Sequence, residues 1–402
     1  MDRHTLAELL SRDGLFVDGD WVESKDQDPA GDVRLIQLAD VGDGIYMNKS
    51  ARFLTSEKAR QLKCTFLQPG DILVARMPDP LGRACIFPGD VRRSVTVVDV
   101  CIVRTGPSTD SRWLLYAINS PEFRRQIERH IKGTTRQRIS RTNLGTIELD
   151  VPSPLEQRRV VEILDKANAV RRKWKEAIGL TEELVRSTFL EMFGDPVTNP
   201  KGWRQSTFGQ EVELLEYGPR FYNEKYSNDG VRIVRITDLD STGRLDFSAM
   251  PRLDVNAGDK SKYTLRPGDV IFARSGATVG KTAFSMPGDP EAIPGAYFIR
   301  LRFKSRVIPL FAREVLASDR VQQIIVSRSR QSAQQNFSGP GIRELPLPLP
   351  PIEMQHRFDM VANGQRSLLR DCRLAEAESE RMFASLLHRM FGEKLEDVGE
   401  LC

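Results

Sequence analysis

The segment Ser275–Thr282 contains the residue types of a phosphate-binding loop, with Lys281 directly after a glycine. A Walker A loop, however, begins with a glycine where this chain has a serine, and a helix begins at its Lys-Thr pair. The turn sequence Pro287–Asp289 leaves little room for such a helix. The sequence therefore favours a turn with an exposed cation over a nucleotide site.

Two aspartates occupy equivalent Pro-Gly-Asp sequences, at Asp71 and Asp269. Nuclease metal sites place acidic residues ahead of a lysine, but no Glu-x-Lys follows either aspartate. An aspartate in a turn accepts backbone N–H bonds instead, and we predict that role here. The five cysteines and four histidines are dispersed along the chain, which predicts no metal site.

A catalytic adenine methyltransferase would require an Asn/Asp-Pro-Pro-aromatic motif and a glycine loop for its cofactor. The nearest sequence, Asn199–Gly202, lacks the second proline and the aromatic residue. We therefore predict no catalytic residue and no cofactor in this chain, and we expect that it is not an enzyme.

The chain repeats itself once at a fixed offset of 198 residues. Val33–Asp40 matches Val231–Asp238, and Pro69–Arg76 matches Pro267–Arg274, and matches at this offset continue to residue 392. A period of this length is too long for a solenoid repeat and indicates two copies of a whole domain with its connector. We therefore expect pseudo-two-fold symmetry and a partner that itself has two ends.

The repeat aligns polar segments that could contact DNA. Gly133–Ser140 offers hydroxyl, amide and guanidinium groups, and Gln331–Ser338 offers similar groups in a different order. Arginine can pair with guanine, glutamine with adenine, and hydroxyl groups with phosphate. Two further loops share a glycine followed by a cation, for which a structural turn with a surface charge is the alternative. The predicted DNA-binding residues are Arg76, Arg83, Lys132, Thr134, Thr135, Arg136, Gln137, Arg138, Arg274, Lys281, Arg328, Arg330, Gln334, Gln335 and Asn336.

Composition is that of an ordinary globular protein, with 40% hydrophobic and 28% charged residues and a net charge of only +4. Basic residues nevertheless concentrate between Arg124 and Arg141, where Glu128 is the only acid. A solvated helix face would explain such a run, but its recurrence in both halves favours nucleic acid. Scattered cysteines and the lack of a long apolar run predict a cytoplasmic protein with no membrane partner.

Each half contains a strand-rich segment and then a long helical one, an α+β composition. Strands are predicted at Val33–Leu38, Asp71–Arg76, Val95–Val103 and Thr146–Val151, and local helices at Ser56–Leu62 and Arg112–Ile131. Long helices are predicted from Leu155 to Phe193 and at the equivalent positions of the second half. We expect their apolar seams to pack on each other. The predicted seam residues are Ile163, Ala167, Val170, Trp174, Ala177, Thr181, Leu184 and Thr188, and then Val361, Gln365, Leu368, Cys372, Ala375, Ser379, Met382 and Leu386.

Both halves resemble the specificity subunit of type I restriction-modification enzymes, over essentially the whole chain. The most specific segments are Pro69–Phe87 and Pro267–Phe284, followed by Gly133–Ser140 and the helix starts Val151–Arg159 and Leu349–Arg357. The resemblance implies two homologous target-recognition domains, each followed by a long helix, with the two helices forming an antiparallel coiled coil. It also implies a non-catalytic subunit that recognises a bipartite double-stranded DNA target.

The resemblance further implies that the helices dock two methyltransferase (M) subunits, on which S-adenosylmethionine is expected, and through them restriction (R) subunits. The implied segments are a first recognition domain (1–152), a first helix (153–195), a second recognition domain (196–350), a second helix (351–394) and a tail (395–402). The alternatives are a specificity protein of the same build in another phage-defence system and a coiled-coil scaffold that does not bind DNA.

Overall fold

The computed structural model describes residues 2–11, 13–78, 80–131, 137–221, 226–240, 243–329 and 335–392. The chain forms two compact units: residues 1–173 together with residues 376–402, and residues 174–375. Each unit thus contains one predicted recognition domain with part of each long helix, whereas the sequence-based boundaries set the helices apart as separate segments.

The first unit contains the first recognition domain. Its described strands are β1 (Asp2–Thr5), β2 (Leu15–Asp18), β3 (Val33–Ile36), β4 (Phe53–Leu54), β5 (Ile72–Ala75), β6 (Ala84–Ile86), β7 (Arg93–Thr96), β8 (Val100–Arg104) and β9 (Glu148–Val151). Its helices are α1 (Leu6–Leu10), α2 (Ser56–Gln61), α3 (Ser111–Ile118), α4 (Pro121–Glu128), α5 (Arg141–Gly145) and the first part of α6 (Pro154–Phe193).

Among the described residues of this unit, the strands form three small sheets. One is antiparallel, in the order β2-β8-β5-β6, and a second has the order β4-β3-β7, with β3 and β7 parallel. Strands β1 and β9 pair near the start of α6. The core lies between the first sheet and helices α3 and α4, where Trp113, Phe123 and Ile127 are buried.

The second unit repeats this plan. Its described strands are β10 (Val212–Tyr217), β11 (Tyr226–Val234), β12 (Arg252–Leu253), β13 (Val270–Ala273), β14 (Thr282–Phe284), β15 (Ala292–Pro294) and β16 (Phe298–Phe303). Its helices are α7 (Phe208–Glu211), α8 (Ala257–Tyr263), α9 (Pro309–Ala317), α10 (Asp319–Ser329), α11 (Gly339–Arg343) and the first part of α12 (Ile352–Phe391).

The two described sheets of the second unit match the four-stranded and the three-stranded sheet of the first, strand by strand. In the described residues the orders are β10-β16-β13-β14 and β12-β11-β15, again with the last pair parallel. Phe189, Phe193, Phe311 and Phe358 form an aromatic cluster in its core, with ring centroids 4.8 to 5.8 Å apart. The mixed fold class and the duplication that the sequence predicts are therefore confirmed.

Two predicted elements are each divided in the structure. The run Val95–Val103 forms two strands, β7 and β8, because the chain turns between them. The predicted helix Arg112–Ile131 forms α3 and α4, since the Ser120 hydroxyl accepts the N–H of Phe123 and caps a new helix that begins with proline. Serine before proline is a helix-start signal that overrides the continuous apolar pattern.

Segments of the two long helices pack together within each unit, in antiparallel fashion. In the first unit Arg171 donates to Glu380 at 2.8 Å, and Leu164 shares a cluster with Leu387. In the second, Glu182 pairs with Arg373 at 2.9 Å, and further along α6 Thr188 accepts a bond from Gln365. In both units, positions later on α6 contact positions earlier on α12. No helix of the described residues is long and apolar enough to cross a membrane.

Six of the sixteen predicted seam positions of these helices are exposed instead of buried. Ala167, Thr181, Cys372 and Ser379 are buried as expected. Six further members are partly buried and six are exposed, and the residue after four of the exposed members is buried instead. The exposed members are Ile163, Val170, Leu184, Val361, Leu368 and Met382. The seam therefore keeps predicted positions such as Ala167 and Cys372, but at others it lies one residue further along, as at Leu164 and Leu369.

Candidate nucleic-acid interface

In the first unit, three segments that are distant in sequence meet at the end of strand β5. The backbone N–H of Arg76 donates to the carbonyl of Asp99 at 2.9 Å, and the Arg76 carbonyl accepts the N–H of Ile139 at 3.2 Å. Ile139 is fully buried and anchors its segment, while the preceding Gln137 and Arg138 are exposed. We call this arrangement the strand-end frame of the first unit: Arg76, Asp99 and residues 137–139.

Acidic side chains hold the arginines of this frame. Arg138 pairs with Asp99, Nη2 to Oδ1, at 2.7 Å and remains 43% exposed. Arg76 is buried and pairs with Asp18. The Nε–H of Arg141 also donates to Asp18, at 3.3 Å. Arg138 thus presents its guanidinium to solvent beside Asp99, whereas Arg76 stabilises the interior.

The second unit has an equivalent strand-end frame: Arg274, Tyr297 and residues 335–337. The N–H of Arg274 donates to the carbonyl of Tyr297 at 2.9 Å, and its own carbonyl accepts the N–H of Phe337 at 2.7 Å. Phe337 is buried, with its ring 5.8 Å from that of Phe272. The two frames therefore share the same backbone bonds at positions 198 residues apart.

The side chains of this second frame differ in kind from those of the first. The Nε–H of Arg274 donates to Oδ1 of Asn336 at 3.2 Å, and its guanidinium lies 4.7 Å from the ring centroid of Tyr217. The Tyr217 hydroxyl accepts the N–H of Gly339 at 2.8 Å. Tyr297 is 62% exposed beside them. The second frame thus presents amide and aromatic groups where the first presents an ion pair.

Five of the residues predicted from the sequence lie in the two frames. Gln137 and Arg138 belong to the first frame, and Arg274, Gln335 and Asn336 belong to the second. The sequence-based prediction did not identify Asp99, Tyr217 or Tyr297. The only signal for two of them was the offset itself, since Asp99 and Tyr297 lie at equivalent positions of the repeat. Six predicted residues lie outside the described part of the chain: Lys132, Thr134, Thr135, Arg136, Arg330 and Gln334.

Arg83 is buried, which differs from the surface position expected of a phosphate contact. Its guanidinium donates to the carbonyl oxygens of Val41 at 2.7 Å, Met77 at 2.9 Å and Leu38 at 3.1 Å. These bonds join neighbouring loops and indicate a structural contribution. Its counterpart Lys281 is exposed. Arg328 lies on α10 and pairs with Glu344 at the surface, at 3.0 Å.

The glycines before these two cations have a packing reason. Gly82 and Gly280 have φ values of +78° and +93°, which disfavour a side chain. A Cβ atom on Gly82 would lie 2.1 Å from Ile127, and one on Gly280 would lie 2.4 Å from Gln322. The glycines therefore admit a neighbouring helix rather than a nucleic-acid backbone.

The loop that resembles a Walker A sequence has a different geometry from a phosphate-binding loop. The N–H groups of Gly280 and Lys281 donate to the carbonyls of Ala273 and Thr278. Thr282 begins strand β14 instead of a helix. The N–H groups that would cradle a phosphate are thus engaged within the turn.

The Pro-Gly-Asp aspartates are buried in ion pairs. Asp269 accepts the N–H of Arg266 at 2.8 Å and two bonds from Arg302, at 2.7 and 2.8 Å. Asp71 makes the equivalent contacts with Arg104, 198 residues earlier. The predicted turn role of both aspartates is therefore confirmed, and their oxygen atoms are occupied by donors.

A half-buried carboxyl, Asp20, lies two residues after Asp18 in the first unit. It accepts the N–H of Thr65 at 3.0 Å. Desolvation raises the pKa of Asp20 to about 6, against the opposing effect of this hydrogen bond and of one from Cys64. Asp20 therefore lies outside the frame, in contact with Thr65 and Cys64.

A second candidate surface lies on the long helices. The exposed apolar stripe consists of Ile163, Val170 and Met382 in the first unit and of Val361, Leu368 and Leu184 in the second. Each member of one set has its counterpart in the other at the repeat offset of 198. Exposed apolar groups that recur in this way are typical of a protein-binding surface.

No protein-family model and no curated protein sequence matches this chain. Among solved structures, it is similar to the S subunit of a type I restriction-modification system from M. genitalium. The two are 13% identical, with a TM-score of 0.57, over 97% of this chain and 96% of that one. A chain from a study of assembly and conformational transition of the type I R-M system is 19% identical, with a TM-score of 0.54, over 96% and 99% of the chains. The chain therefore has the fold of a type I restriction-modification S subunit, as its motifs predict.

Proposed function

We propose that this chain is the non-catalytic, sequence-specific DNA-recognition subunit of a type I restriction-modification system. One observation supports this most directly: two equivalent backbone frames present different polar side chains to solvent. A duplicated scaffold with unlike contact groups is what a bipartite target with two different half-sites requires. In this proposal each unit binds one half-site of duplex DNA.

The proposed DNA contacts are the exposed polar residues of the frames and the nearby cations. They comprise Gln137, Arg138, Arg274, Lys281, Gln335 and Asn336, with Lys132, Thr134, Thr135, Arg136, Arg328, Arg330 and Gln334 as further candidates. Arg76 and Arg83 stabilise the loops that support the contacts, because their guanidinium groups are buried among protein partners. Exposed cations supply salt-dependent affinity for phosphate.

The proposed partners are two M subunits, one for each part of the exposed apolar stripe. Each M subunit would bring S-adenosylmethionine and the catalytic residues, and R subunits would join through them. The repeat supports this stoichiometry, because identical partners require equivalent surfaces and the stripe recurs at the same offset in both units.

The principal experiment combines methylation mapping with duplex binding. We expect that co-expression with the partner methyltransferase yields one methylated bipartite motif with a constant gap. We also expect that the logarithm of the binding constant falls by about 0.9 per phosphate contact for each tenfold rise in salt. Duplex binding that does not respond to salt, together with no methylated motif, would support the scaffold alternative and refute the proposal.

The docking surface has its own test, with matched controls. Val170→Glu and Leu368→Glu place a charge on equivalent positions of the stripe in the two units. Arg172→Glu and Arg370→Glu change exposed residues, also 198 positions apart, outside the stripe. Mass measurement of the assembled complex should show one M subunit lost with each stripe variant and none lost with either control. Full assembly of the doubly charged stripe variant would exclude this surface.

A further inference from the structure

Arg138 and Asn336 occupy the same place in the two strand-end frames. Each immediately precedes a buried anchor, Ile139 or Phe337. The N–H of the anchor donates to the carbonyl of the arginine directly after strand β5 or β13. The backbone is therefore fixed on one side of each residue while the side chain is exposed. Fixed and exposed polar side chains are suited to contact base edges.

Arg138 is oriented by Asp99. The ion pair of Nη2 with Oδ1 at 2.7 Å holds the guanidinium beside Asp99, and the guanidinium has further N–H groups to donate. The carboxylate also offsets much of the positive charge, which weakens attraction to phosphate. Two parallel N–H donors of a guanidinium match the O6 and N7 acceptors of guanine.

Asn336 is oriented by Arg274. An arginine can only donate hydrogen bonds, so the amide atom that faces Arg274 Nε at 3.2 Å must be the oxygen. The amide nitrogen is then directed away from Arg274, and the oxygen retains a second lone pair. Arg274 is itself held against the Tyr217 ring. One donor beside one acceptor matches N7 and N6 of adenine, whereas guanine offers two acceptors.

We propose that Arg138 and Asn336 are base-contacting residues at equivalent positions, and that they recognise guanine in one half-site and adenine in the other. Asp99 and Arg274 are their positioning residues. This inference rests on the proposed function, since it assigns chemistry to the two DNA-binding units.

The experiment selects bound duplexes from a library with randomised positions, for the full chain assembled with its M subunits. Asn336→Ala should relax an adenine preference at one position of one half-site by roughly 10- to 100-fold. Arg138→Ala should relax a guanine preference of similar size in the other half-site. Asp99→Asn should weaken the guanine preference that Arg138 provides, and Arg274→Met should weaken the adenine preference that Asn336 provides.

Controls and outcomes separate this inference from the proposed function. Lys58→Ala and Lys260→Ala change surface ion pairs away from the frames, one in each unit, and should leave every base preference intact. A wild-type complex that selects no bipartite sequence refutes the proposed function itself. If the wild-type complex does select a bipartite sequence, either of two results would overturn the inference alone. One is that Asn336→Ala and Arg138→Ala lower affinity uniformly for all sequences, and the other is that both variants relax a preference in the same half-site.

Discussion

Replacing Asp269 by alanine tests whether the Pro-Gly-Asp turns serve the fold or a metal ion. Asp269 is fully buried and accepts one backbone N–H and a bidentate pair from Arg302. Its hydrogen bonds raise the pKa of Arg302, so the guanidinium stays charged. The variant would leave that charge without its carboxylate.

The size of the effect follows from this geometry. Removing one partner of a buried ion pair costs about 3–5 kcal/mol of the free energy of unfolding. The Arg302 side chain is 24% exposed, so water solvates part of the freed charge, and we expect about 3 kcal/mol. The equivalent Asp71→Ala should cost a similar amount, because Arg104 is 30% exposed.

Urea unfolding of Asp269→Ala, Arg302→Met and the double variant measures both the cost and the coupling. Neighbouring groups couple by up to about 3 kcal/mol, so the double variant should be about 2 kcal/mol less destabilised than the sum of the single variants. Additive effects, or a loss below about 1 kcal/mol, would refute the ion-pair role. A stabilisation by Mg²⁺ that disappears with Asp269 would instead indicate a metal site.

Four further outcomes are expected. Leu368→Glu should leave the melting temperature within a few degrees of wild type in calorimetry, because this side chain is already about half exposed. Lys281→Ala should weaken duplex binding and reduce its salt slope by about 0.9, and calorimetric titration should detect no dependence of ATP affinity on this residue. The raised pKa of Asp20 means that the folded state binds the proton of this carboxyl more tightly than the unfolded state does. The contribution of Asp20 to stability therefore falls as pH rises towards about 6. Asp20→Asn stays neutral, so it should raise the melting temperature at about pH 7.5 and change it little near pH 4. Seven residues inserted after both Ala177 and Ala375 add about 10 Å of helix, and the methylation map should show the same half-sites with a gap longer by about three base pairs.

Much of the fold could be predicted from the sequence because the two copies of the repeat can be aligned, so that an element in one copy is expected at the equivalent place in the other. Strands β3, β5 and β9 lie within their predicted ranges, and α6 begins one residue before its predicted start. The split between β7 and β8 has only one signal in the sequence, Asp99, since the other intervening residues, Val97 and Val98, are β-branched. Only the partner strands, which are remote in sequence, decide where pairing stops.

The sequence predicted where the candidate site lies but not all of the residues that form it. The polar segments pointed to residues 137–138 and 335–336, whereas Asp99 and Tyr217 join them only through long-range packing. For Arg83, the surface position expected from the sequence was wrong. A cation after a glycine suggests a surface charge, but two of the carbonyls that Arg83 contacts, those of Leu38 and Val41, lie in a loop that is distant in sequence.

The error in the helix seam has a physical explanation that also bears on function. Apolar residues spaced seven apart occupy two neighbouring faces of each long helix, so periodicity alone fits both faces. The face with Val161 and Leu164 is the one that is buried, and burial of these side chains removes apolar area from water. The other face keeps Ile163 and Val170 exposed, and its counterpart 198 residues later keeps Val361 exposed. Solvated apolar groups at the same positions of both copies favour a partner that is itself present twice, as two methyltransferase subunits would be.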